Sequence, residues 1–218
     1  MGLGAKFRYW KFSKFRLEAF SDAVFAIIIT LLVLEIKVPH IEQPHNTNVM
    51  WQALWHLLPK IWSWVISFIF VGIMWLHHHN ILRMATQADY GMIWINLLFL
   101  MAASFVPFPT AFAGEYPHQP MPLFLLCSAM SFTTLLFVWL YWYVAKFYLS
   151  DKYDPAKMMH NVRKSLLAGP LMYAIAAGIT WFSVTIAYFI VFFVPVLYIL
   201  PLDIEKEEVL ATQIVEED

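Results

Sequence analysis

Residues 17–38 read LEAFSDAVFAIIITLLVLEIKV. A bilayer core takes about 20 mostly apolar residues as a single helix, and this run is long enough to cross once. It carries three acids, Glu18 and Asp22 near its start and Glu35 near its end, and Lys6, Arg8, Lys11, Lys14 and Arg16 precede it. A basic lead before an apolar run also describes a signal peptide. Here the run is too long, the acids interrupt it, and no small-x-small cleavage site follows. It reads as a retained transmembrane span.

The rest of the chain has the same character. Of 218 residues, 61% are hydrophobic and 13% charged, and the mean hydropathy is +0.64. Soluble domains run at roughly 45–50% apolar and about 25% charged. So few charges cannot cover a water-exposed globule, which excludes an ordinary soluble enzyme. The 10 Trp, 19 Phe and 10 Tyr exclude a disordered chain. A formal net charge of −1 offers no basic footprint for nucleic acid. The single cysteine, Cys127, makes neither an internal disulfide nor a multi-cysteine metal site.

Six apolar segments follow one another: 17–38, 57–82, 91–113, 121–148, 165–181 and 184–200. The last two share one long apolar stretch, divided by a short polar break at 180–183. Basic residues support the count. Besides the N-terminal group, Arg83 lies between spans 2 and 3. Lys146, Lys152, Lys157, Arg163 and Lys164 lie between spans 4 and 5, and Lys206 lies in the tail. The opposite loops, 40–56 and 114–120, carry none; Lys37 and Lys60 sit at span ends on that side. Alternation of basic and bare loops predicts an all-α, six-helix membrane protein with both termini cytoplasmic. Residues 1–202 are expected to form one transmembrane domain, and the acidic stretch 203–218 a cytoplasmic tail.

Charges inside a span mark function by default, because burying them in lipid is costly. On a helix, Ile27, Thr30, Leu31 and Leu34 share one face, which Val38 extends. Asp22, Phe25, Ile29, Val33 and Ile36 share the roughly opposite face. Asp22 is therefore expected to face the protein's own helices, where it finds donors. The aliphatic stripe faces either lipid or a symmetry axis. Span 2 contains Trp75-Leu76-His77-His78-His79-Asn80. Consecutive helical positions are about 100° apart, so the three histidines cannot converge on one ion, and no metal site is expected. Spans 1 and 2 are antiparallel, which puts this stretch level with Ser21 and Asp22. A polar network between the helices is expected there. Which histidine joins it stays open; His77 is taken as the candidate. No catalytic constellation is visible. Cys127 sits among apolar neighbours, and nothing specifies a base for Ser21. Pro107 and Pro109 are expected to kink or end a helix.

The segment Arg16-Leu17-Glu18-Ala19-Phe20-Ser21-Asp22 resembles the opening of the first span in the lysosomal potassium channel family, in its single-repeat prokaryotic branch. Asn96-Leu-Leu-Phe-Leu with Pro107-Phe108, and the Trp75/His77/His78 stretch, resemble that family's third and second spans. The resemblance implies a potassium-selective cation channel with a central pore lined by the first helix. It implies permeant K+, no cofactor, and a homotetramer in the lipid bilayer, since this chain carries one motif where animal members carry two repeats. The carbonyl filter sequence Thr-Val-Gly-Tyr-Gly of ordinary potassium channels is absent from this chain. Carried over by position, Ile27 falls at a hydrophobic constriction, Leu31 and Leu34 continue the pore face, and Thr30 adds a hydroxyl. Arg16, Phe20, Ser21, Asp22 and His77 belong to the network that holds the helix. Glu35 either concentrates monovalent cations at the outer mouth or pairs locally with Lys37. The alternatives to a channel are a proton-conducting or proton-coupled transporter, suggested by Asp22 and the histidines, and a non-transporting membrane scaffold.

Overall fold

A computed structural model of the chain describes residues 11–41 and 46–199. Lys6, Arg8, Lys206 and the acidic stretch 203–218 lie outside the described residues. The first long helix, α1 (Lys14–Leu31), tightens into a 3-10 turn over Leu32–Glu35. The chain then leaves helical geometry at Ile36, whose backbone is extended. Pro39 bars helix from running on, because its ring would clash with the Glu35 carbonyl four residues back and it disfavours helix at Val38. Val38 therefore does not extend the helical stripe, contrary to the periodicity.

Helix α2 (Thr47–Met84) is 38 residues long, about 57 Å at 1.5 Å per residue. It starts ahead of the expected span, where the Asn46 side chain accepts from the Asn48 amide at 3.0 Å. Helix α3 (Tyr90–Phe105) gives way at Val106 to α4 (Pro107–Glu115). Pro107 and Pro109 lack the amide protons that one continuous helix would need there. Helix α5 (Pro120–Phe147) follows. Next come α6 (Pro155–Leu166), a π turn over Leu167–Leu171, and α7 (Met172–Ile179). The chain turns over residues 180–183, as the polar break predicted, and enters α8 (Val184–Ile199). Six helical segments result among the described residues. Four of them, Lys14–Leu34, Thr47–Met84, Tyr90–Glu115 and Pro120–Phe147, are long and apolar enough to cross a membrane.

The π turn has a local cause. Pro170 donates no backbone bond, and the loosened carbonyls find side chains instead. Ser131 Oγ donates to the Pro170 carbonyl at 2.8 Å, and the Tyr198 hydroxyl donates to that of Ser165 at 3.0 Å. These bonds tie α5 and α8 to the bulge.

Helix α5 is the centre of the bundle: α3, α4, α6 and α7 all pack on it, and Leu123, Cys127, Met130, Leu140 and Tyr141 are buried along it. Helix α1 lies at the edge, against α2 and α3. At the end carrying Lys14 and Arg83, called here the basic end, β1 (Lys11–Phe12) pairs antiparallel with β2 (Ala88–Asp89). Asp89 is only 2% exposed. Its carboxylate accepts from the hydroxyls of Tyr143 (2.8 Å) and Tyr148 (2.7 Å), and from the Met92 amide at the start of α3 (2.8 Å). Three donors offset the cost of burying the charge. Gly91 lets Tyr143 approach: a Cβ there would lie 2.5 Å from its hydroxyl.

Candidate pore helix and its anchoring network

Two faces of α1 have different fates. Leu17, Ser21, Phe25, Ile28 and Leu32, spaced four or three apart, are buried against α2 and α3. Arg16, Phe20, Ala23, Ile27, Thr30 and Leu34 alternate by four and three residues, and all are exposed. Ile27 is 57% exposed, Leu31 51% and Leu34 68%. The aliphatic stripe is thus the outward side of the helix. Of the face predicted opposite, Phe25 is buried, Asp22 and Ile29 are half-buried, and Val33 is exposed. The buried face runs through Ser21 rather than Asp22, one helical position away.

Ser21 is the polar centre of that buried face. Its hydroxyl donates to the Leu17 carbonyl at 2.9 Å. Having used its proton, the oxygen accepts from Asn96 Nδ2 of α3 at 2.9 Å. The other end of the same amide, Asn96 Oδ1, lies 2.6 Å from His78 Nε2 of α2. An oxygen there needs a donor, so the chain of bonds sets the tautomer: His78 carries its proton on Nε2. Ser21, Asn96 and His78 are all buried. The imidazole is stacked on Phe99 (centroids 5.5 Å apart, planes at 15°) and lies 5.4 Å from the Phe25 ring. Three helices are joined by one polar chain inside an aromatic box.

The histidine that reaches Ser21 is therefore His78, not the expected His77. His77 sits one position around α2. Its Nε2 lies 2.9 Å from the Tyr198 carbonyl, and its ring packs on Phe137 and Tyr198. It ties α2 to α8. Asp22 has a separate partner: Trp75 Nε1 donates to its Oδ1 at 2.8 Å. Trp75 in turn lies against His79, with centroids 6.1 Å apart. Arg16 and Phe20, expected in the network, lie instead on the exposed stripe, because Ser21 and Phe20 are about 100° apart on the helix. Among the described residues Arg16 makes no ion pair. Lys14 does the tethering at the basic end: it donates to the Arg83 carbonyl at the end of α2 (3.1 Å) and pairs with Glu18 (3.6 Å). A cation there complements the negative end of α2.

Thr30 bonds back along its own helix, to the carbonyls of Ala26 (2.8 Å) and Ile27 (3.0 Å). Glu35 closes the 3-10 turn; its side chain lies outside the described residues. Asn96 appeared in the sequence only within a motif, with no role attached, and Asp89 drew no notice. A lone Asn or Asp at the start of an apolar segment is the signal that would have found them.

The arrangement contains an anchored helix with a bare aliphatic face, and no assembled acid, base and nucleophile. Comparison with known proteins agrees with a transport role. The profile of the family described as endosomal/lysosomal potassium channel TMEM175 matches residues 16–107, from the first turn of α1 to the start of α4. A potassium channel of Streptomyces collinus is 35% identical over 173 residues, covering 77% of this chain and 82% of that one. The crystal structure of a lysosomal potassium-selective channel TMEM175 homolog from Chamaesiphon minutus superposes with a TM-score of 0.76 at 31% identity, over 86% of this chain and 96% of that one. The endosomal/lysosomal proton channel TMEM175 of Mus musculus is 27% identical over 182 residues; this chain spans 36% of its length. With that identity and coverage, and with its four long apolar helical segments, the chain is a multi-pass membrane protein that belongs to the TMEM175 channel family.

Proposed function

We propose that this protein is a potassium-selective cation channel. Four copies surround a central pore, α1 is innermost, and both termini face the cytoplasm of a cell whose inner membrane holds it. The bacterial relatives bear the name potassium channel. The observation that carries the reading to named residues is the division of α1. One face is locked by Ser21, Asn96 and His78, and the other presents Ile27, Thr30, Leu31 and Leu34 to the outside of the protomer.

Around a four-fold axis, such a stripe becomes a lining. Four Ile27 side chains form a ring that excludes water when narrow, which is a hydrophobic gate. Opening widens or rotates α1, since a cation cannot be stripped of water against carbon at low cost. The Thr30 hydroxyl spends its proton on the Ala26 and Ile27 carbonyls, so its oxygen lone pairs are left for a cation or its water. Glu35 then stands near the outer mouth and attracts cations. K+ is the permeant ion, and no cofactor takes part.

Purified protein in liposomes under a potassium gradient tests this. Potassium flux exceeding sodium flux, with no requirement for a proton gradient, is expected. Absence of any ion flux overturns the channel reading. Native mass measurement of the active preparation is expected to give a tetramer; monomers or dimers alone overturn the assembly. A second reading, proton conduction, is favoured by the proton-channel name of the vertebrate relatives. A pH-sensitive dye inside the same liposomes separates the two.

A further inference from the structure

At the end of the bundle opposite Lys14, the 3-10 turn after α1 meets the middle of α2 and helix α4. A cavity of about 110 Å³ lies between them. Its wall includes Lys37, Lys60, Ser63, Trp64, Ser67 and Glu115. Two buried atoms of this wall, Trp64 Nε1 and Ser67 Oγ, have no hydrogen-bond partner among the described residues.

The Ser67 hydroxyl is an exception to the habit of this protein. Ser21, Thr30, Thr110, Thr133 and Thr134 each donate to a carbonyl four residues back, the common solution for a hydroxyl in an apolar helix. Ser67 is 0% exposed and does not. A buried donor left unmade is destabilising, so a polar group is expected to occupy the space it faces.

The chemistry of the wall selects that group. An indole N–H only donates and cannot take a cation. Glu115 is ion-paired with Lys60, which neutralises both. Lys37 makes no ion pair among the described residues and is the charge in excess. Among the described residues the lining is rich in donors and positive by one charge, which matches a small acceptor of negative charge. A polar cavity needs roughly 10–15 Å³ to hold one water, so this one has room for an ion with part of its hydration shell. We propose that the cavity is a binding site for a monovalent anion of the halide class. The Trp64 N–H and the Ser67 O–H hold the ion, and the Lys37 ammonium group supplies the field. The inference stands on this lining alone and is independent of the ion path along α1.

Bromide is the probe, because it scatters X-rays anomalously. Crystals of the full chain soaked in sodium bromide should show an anomalous peak within hydrogen-bond reach of both Trp64 Nε1 and Ser67 Oγ. Ser67→Ala should abolish it, and so should Trp64→Phe, which keeps a ring in place. In micelles, the chlorine NMR linewidth of chloride should broaden with the native protein, and that broadening should be lost in either variant. A cavity that holds only water in bromide overturns the proposal. Bromide found solely on the lysine ammonium groups, or equal broadening by all three proteins, overturns it too.

Discussion

Asn96 Nδ2 donates to Ser21 Oγ at 2.9 Å, across the contact between α3 and α1. The bond matters because both atoms have already committed their other half. Ser21 has given its proton to Leu17, and Asn96 Oδ1 is joined to His78. Removing any one member strands another in a dry, aromatic setting. The position of α1, and with it the direction of the stripe at Ile27, depends on this chain of bonds.

Asn96→Leu should therefore destabilise the protein more than Ser21→Ala does. The first strands the buried His78 N–H, at about 1–3 kcal/mol, and also takes from Ser21 Oγ the bond it accepts, leaving it only its own donation to Leu17. The second strands only the Asn96 amide. Thermal unfolding in detergent, followed by loss of the native oligomer, gives the order; equal midpoints would show that the chain of bonds is not coupled.

For Asp22, the relevant partner is Trp75. Both are partly exposed, so the charge-assisted bond is expected at the low end of its range, about 1.5 kcal/mol. A double-mutant cycle of Asp22→Ala and Trp75→Phe measures it. Additive effects would mean that the 2.8 Å bond contributes nothing to holding α1.

Replacing Ile27 with Asn should wet the constriction and raise the resting cation leak in liposomes. Ile27→Met keeps the ring apolar and should leave it narrow or closed. Stability should barely change, because the side chain is mostly outside the protomer's core. If neither variant alters flux, the stripe faces lipid.

Thr30→Val preserves shape and removes the hydroxyl. The back-bond to Ala26 is lost, but the helix keeps its own ladder. Potassium sheds water more readily than sodium, so a wall that replaces part of a hydration shell favours it. The variant should conduct with a reduced preference for potassium, read as a shift in bi-ionic reversal potential. Equal reversal potentials would remove Thr30 from selectivity.

The sequence by itself determined the class of the protein and the count of its helical segments. Apolar runs, sparse charge and alternating basic loops follow from the solvent, because lipid leaves a chain no option but helices that satisfy their own backbone. Proline positions likewise announced the break between α3 and α4. It also marked Ile27, Thr30, Leu31 and Leu34 as one face, since a helix's period is a local property. What only the tertiary structure decided is which partner each polar side chain meets. His77 and His78 are adjacent and chemically identical, and they part because one points toward α3 and the other toward α8. Phe20 and Ser21 part in the same way: the rotation of α1 about its axis is set by packing against α2 and α3, which periodicity leaves free. The length of α1 was misjudged for a related reason, since Pro39 ends the helix through a steric clash that hydropathy does not register. Ser67 Oγ and Trp64 Nε1, without a partner among the described residues, lay beyond any reading of sequence, because an unfilled space between helices exists only once they are packed.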